Sequence, residues 1–155
     1  MILTTHSLVG AVIGKYVSDP WIIALIAIPA HYLLDSFRHG EYVDSMDSKT
    51  SFQNTWKKSV LDILGAIVIP FSIAINQHFS TAVMISMGIG MFFSTIPDLI
   101  TLFYWKFRTP FFEKIYRFHA WCHKFPREAL ERKWNLRNSV NDIAFSIIAI
   151  IFLFL

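Results

Sequence analysis

Residues 81–105 read TAVMISMGIGMFFSTIPDLITLFYW, and the only charged side chain among them is Asp98. The hydrocarbon layer of a bilayer is about 30 Å thick and takes roughly 20 mostly apolar residues to cross as a helix. This stretch is long enough. The rest of the chain has the same character: of 155 residues, 54% are hydrophobic and 16% charged, with a mean hydropathy of +0.46. Soluble domains average about 25% charged residues, so an ordinary water-soluble fold is excluded. The composition also excludes disorder and repeat arrays.

Four further apolar stretches flank the first, at about 1–17, 20–36, 59–75 and 139–155. The expected fold is an all-α, polytopic integral membrane bundle of about five spans in one domain. Asp19-Pro20 supplies a turn and a helix start. Asn76-Gln77-His78 makes a short turn between the third and fourth spans. The first stretch has no basic residue before it and no cleavage pattern, so it reads as a span, crossing or re-entrant, rather than a removable leader. The polar segment 37–58 and the basic, aromatic segment 106–138 are the two long connections. The second is expected to form one or two helices lying on the membrane surface before the last span.

Charge sets the expected orientation. All of the 14 Lys and Arg residues except Lys15 lie in 37–58 and 106–138. Basic loops stay in the cytoplasm, so both segments and the N-terminus are expected there, in a bacterial cytoplasmic membrane. The net charge of +3 is too small to argue for nucleic acid. Membrane lipids are the expected partners.

An ionisable group inside a span costs about 2.5–3.5 kcal/mol on insertion scales, and it faces a partner or a cavity. The sharpest set is HYLLDSFRH, in which His31, Asp35 and His39 follow one another at steps of four. Steps of four place them on one helix face, and imidazole with carboxylate at that spacing makes a natural ligand set for a metal. His6 opens the first span, and Asp62 lies one turn into the third. Asp98 follows Pro97 in the fourth. His119 and His123 share a face in FHAWCHK, and Asn141-Asp142 open the fifth span. Once the topology is set, all of these fall near one leaflet. The expected metal ligands are His6, His31, Asp35, His39, Asp98, His119 and His123, with Asp62 as acid or base. Asp62 and Asp142 equally suit the stabilisation of helix N-termini.

Nitrogen and oxygen donors without a thiolate set fit Zn²⁺ first, with Mn²⁺ or Fe²⁺ next, better than copper. The lone Cys122 excludes an internal disulfide and a Cys-only zinc site. A divalent ion can bring the pKa of a bound water to about 7, which points to hydrolysis. A site at the headgroup level suits a phospholipid or a lipid-linked phosphoester. Two other classes fit the same residues: a structural or interaction protein with a hydrogen-bonded polar core, and a metal-ion carrier. No phosphate loop, GxSxG, HExxH or CxxC is present. Gly10-x-x-x-Gly14 is a small-residue pattern that favours close helix contact.

Three strings, TTHSLVGAVIG, AHYLLDSFRHGEY and IPDL, resemble the small bacterial inner-membrane proteins known as metal-dependent hydrolases (YdjM-like). That family is itself distantly similar to zinc-dependent phospholipase C, an all-helical fold with His and Asp around a metal cluster. The resemblance implies His6, Asp98, and His119 with His123 as ligands, while His31, Asp35 and His39 match a HxxxDxxxH-like landmark. It covers about residues 1–42 well and the fourth span and following segment loosely. The chain departs from the pattern at Ser36-Phe37-Arg38, where a Pro-containing turn is expected, and in lacking an Arg-Gly-x-x-His string after Pro97-Asp98.

Overall fold

The computed structural model describes residues 1–41, 49–125 and 129–155. Among these the fold is all-helical: α1 (Leu3–Tyr16), α2 (Pro20–Asp35), α3 (Lys49–Asn76), α4 (Thr81–Phe107), α5 (Pro110–Cys122) and α6 (Val140–Phe154), with one 3₁₀ turn at Leu130–Arg132. The helix starts follow from local chemistry. Asp19 caps α2 by accepting from the Trp21 and Ile22 N–H groups at 2.8 and 3.1 Å, and Pro20 takes the first helical position. Ser80 caps α4, which ends at Arg108 in the left-handed conformation.

Among the described residues, two helices are long and apolar enough to cross a membrane, Thr55–Asn76 of α3 and Thr81–Phe107 of α4. The expectation of five such spans is corrected to two. The reason is length. Helices α1, α2 and α6 have 14, 16 and 15 residues, which at about 1.5 Å per residue falls short of a layer of about 30 Å. The segment 106–138, expected to hold one or two surface helices, contains α5 and the 3₁₀ turn.

The short helix α1 sits at the centre, packed against α2, α3, α4 and α6. Its closest partner is α4. A Cβ at Gly10 would run into the Gly90 carbonyl, and one at Gly14 into that of Ser86, so the two backbones touch along the small-residue pattern. At this end of the bundle the core is purely apolar: Leu8 and Ala11 of α1 meet Ile73, Ala74, Met87, Met91, Ala149 and Leu153. The outward faces are apolar too, with Leu25, Leu61, Val68, Ile147 and Ile151 all exposed.

The start of α1 is held differently. A helix leaves its first N–H groups without intrahelical partners, and the Ile2 residue preceding α1 offers no capping side chain. Neighbouring helices supply the acceptors. Asp142 Oδ1 of α6 takes the Ile2 N–H at 3.0 Å, and the two oxygens of Asp62 in α3 take those of Leu3 and Thr4, each at 2.8 Å. The polar end of the bundle is thereby tied together around α1.

Candidate metal centre

At that polar end, α2 delivers His31 and Asp35, both fully buried, one turn apart. Helix α4 contributes Asp98 and α5 contributes His119. Ligand atoms of these four residues lie within 4.8 Å of one another, a group that could hold a metal ion. A second such group joins Asp35 to His39 and His123. Six of the seven expected ligands therefore converge on one place, although they come from three helices and from the residues just after α2 and α5.

The ring tautomers are fixed by what lies behind them. His31 donates its Nδ1–H to the Ser94 carbonyl at 2.8 Å. His39 donates its own to the Phe37 carbonyl at 2.7 Å. Thr101 directs its hydroxyl proton to the Pro97 carbonyl at 3.1 Å and so accepts the Nδ1–H of His119 at 2.8 Å. In the neutral rings this leaves Nε2 as a bare lone pair on each. Pro97, inside α4, lacks the N–H that would bond the Phe93 carbonyl, one residue before the Ser94 carbonyl that holds His31.

Those lone pairs point at one another. His31 Nε2 lies 3.1 Å from His119 Nε2, and both face Asp35 Oδ2, at 3.0 and 2.9 Å. Three electron-pair donors meet with no proton assigned between them, and a single proton satisfies at most one pair. Asp98 Oδ1 completes the group at 3.9 Å from His31 and 3.7 Å from His119. Ligands about 2.1 Å from a tetrahedral ion stand roughly 3.4 Å apart, and these separations bracket that value. The donor set fits a metal ion, with His and carboxylate ligands suited to zinc-like divalent cations.

His6 stands beside both groups. It stacks on His31 with ring centroids 4.0 Å apart, and its Nε2 meets Asp35 Oδ1 at 3.1 Å. The terminal amine of Met1 contacts the same oxygen at 2.5 Å. The structure thus places His6 as a partner of Asp35, outside the two ligand groups. Asp62 also lies outside them. Both of its oxygens hold the start of α1, and Oδ1 additionally accepts from the Thr4 hydroxyl at 2.6 Å. Its observed contacts are those of a helix-end partner, and an acid–base role would require it to act from the cavity wall that it also lines.

Four residues of the site were not among the sequence candidates: Ser94, Thr101, Glu41 and Arg132. Glu41 Oε1 lies 3.2 Å from His39 Nε2 and 3.7 Å from His123 Nδ1. Arg132 grips the same oxygen and also donates to the Phe125 carbonyl at 3.2 Å. The chain around Glu41 is pinned to the segment before α6, its N–H bonding the Arg132 carbonyl at 2.8 Å and Arg38 bonding Asn138 at 2.7 Å. Against the cost of burial, His39, the terminal amine and Arg132 hold the Glu41 carboxyl well below its usual range, so it is ionised. Burial pushes His123 down to about 2, with Arg132 adding to the effect, so the ring is neutral and able to ligate. Burial raises the Cys122 thiol, and neither ligand group includes it.

A cavity of about 740 Å³ opens onto the cluster. Asp98, His119, His123 and Glu41 form its polar side, Lys124 and Arg132 bring positive charge, and Ile63, Leu102, Trp105 and Trp121 give apolar walls.

Comparison with protein-family models, with characterised proteins and with solved structures finds no match to this chain in any of the three.

Proposed function

We propose that the protein is a membrane-embedded, metal-dependent hydrolase acting on a phospholipid or lipid-linked phosphoester at the cytoplasmic face of a bacterial membrane. The observation that carries this reading is the meeting of His31 Nε2, His119 Nε2 and Asp35 Oδ2 within 3.1 Å of one another, with both Nδ1 protons committed elsewhere. A divalent ion bound there supplies Lewis acidity and an activated water at neutral pH.

The chain's own residues do the rest. His31, Asp35, Asp98 and His119 hold the ion, and Ser94 and Thr101 keep the two rings in the ligating tautomer. His6 steadies Asp35. Asp98 is partly exposed and lines the cavity, so it is the ligand carboxylate that meets substrate. The cavity's make-up supports an amphiphile: apolar walls suit a hydrocarbon chain, and Lys124 and Arg132 suit an anionic phosphate. Exposed apolar faces on α2, α3 and α6 support a lipid surrounding, since contiguous apolar surface of this kind marks membrane or protein contact. The concentration of Lys and Arg in 37–58 and 106–138 supports the cytoplasmic side for the site.

Metal content tests the reading. Purified protein is expected to carry at least about one equivalent of Zn, Mn or Fe by elemental mass spectrometry, lost in a His31→Ala, Asp35→Ala double variant. The loaded protein should release headgroup from vesicles of an anionic phospholipid, and Asp98→Asn should abolish that release. Folded protein that takes up no metal overturns the proposal in favour of a hydrogen-bonded polar core.

A further inference from the structure

The two ligand groups overlap in a single residue. Asp35 belongs to both, and its two oxygens face different neighbours. Oδ2 lies close to His31 and His119, while Oδ1 lies 4.0 Å from His39 Nε2; His123 Nε2 is 3.6 Å from Oδ2. One ion cannot satisfy all these donors, because four ligands fill a tetrahedral shell and the His31, Asp35, Asp98 and His119 set already supplies four.

The remaining histidines have a carboxylate of their own. Glu41 Oε1 approaches His39 Nε2 at 3.2 Å, and the two carboxylate-to-nitrogen distances to Asp35 are 3.6 and 4.0 Å. These are the separations found in the first group. His39 has its Nδ1–H committed to the Phe37 carbonyl, so its Nε2 lone pair faces Glu41 and Asp35. His123, about nine-tenths buried, has an Nδ1 without a hydrogen-bond partner facing the same Glu41 oxygen at 3.7 Å. A neutral ring with Nε2 on a metal would carry its proton on that atom and direct it to the carboxylate, a common arrangement behind metal-bound histidines.

We propose that the site is two adjoining metal positions sharing Asp35, the first made by His31, Asp98 and His119, and the second by His39, His123 and Glu41. Arg132 positions Glu41 through its guanidinium. Two-ion sites clamp both the attacking and the leaving oxygens of a displacement at phosphorus, so the second position deepens the hydrolase reading and rests on it for the presence of metal.

The test is the number of ions. Full-length protein in detergent, stripped with chelator and reloaded with Mn²⁺, is expected to bind about two per chain. Its electron paramagnetic resonance spectrum should be that of an exchange-coupled pair. Glu41→Gln keeps the size of the side chain but removes its charge, and should reduce the content to about one, leaving the spectrum of an isolated ion. His123→Ala should do the same, and circular dichroism should show both variants as helical as the parent. A parent protein that binds about one ion, with no coupling and no change in either variant, overturns the two-position proposal while leaving the hydrolase reading intact. A parent that binds none overturns both.

Discussion

His119 is buried, and its Nδ1 proton goes to a hydroxyl that has already given its own proton away. Thr101 is therefore a tautomer selector more than a packing residue. Thr101→Val preserves the shape but offers no acceptor, so the ring is freed to place its proton on either nitrogen. Outer partners of this kind are worth roughly 10–100-fold in metal affinity, and a competition titration with a chromophoric chelator should show a loss in that range. Unchanged affinity would show that the ring is oriented by packing alone. Thr101 carries no signal in the sequence, because one threonine in an apolar helix reads as a back-bonded surface residue. The charged and imidazole residues were legible. HYLLDSFRH and FHAWCHK carry their spacing on the page, and the cost of ionisable groups in a span singles out Asp98.

At the scale of elements, the contact between α1 and α4 is the most constrained in the fold. The substitution Gly14→Leu pushes a side chain into the Ser86 backbone, which cannot give way as a flexible side chain would. Overpacking typically costs about 1–3 kcal/mol, so this variant should melt at lower temperature and lose the apolar core of Leu8, Met87 and Leu153. A useful contrast is Gly88, on the partner helix α4, where an added Cβ meets only Phe71 at an ordinary 3.8 Å. Gly88→Ala should be neutral or should stabilise by up to about 1 kcal/mol through helix propensity. Equal effects of the two changes, measured as thermal midpoints in one detergent, would refute the close-contact account. The motif Gly10-x-x-x-Gly14 pointed to such a contact but did not name its partner. Helix bounds were legible to within a few residues, since the stretches 1–17, 20–36 and 139–155 became α1, α2 and α6. The count of five spans went wrong because stretches of that length are already shorter than the roughly 20 residues a bilayer takes.

For the whole molecule, the question is the medium in which the outward faces rest. Helices α3 and α4 are long enough to cross a bilayer, and the apolar exposure of α2 and α6 gives them a reason to stay beside those two. The chain should remain in the pellet when membranes are washed with alkaline carbonate and should dissolve only in detergent. Release by carbonate alone would count against an embedded bundle. The overall architecture was readable as all-helical and apolar from composition. What could not be read was that α1, with only 14 residues, becomes the hub, since centrality depends on which faces the other helices turn inward.

Helix α4 sets both of the rings that meet at Asp35. The Ser94 carbonyl holds His31 from one side of Pro97, and Thr101 holds His119 from the other, with Asp98 between them. The two imidazoles thus belong to α2 and α5 by covalent chemistry and to α4 by alignment. A flex of α4 at its proline therefore alters the aim of both rings together, although neither histidine belongs to α4.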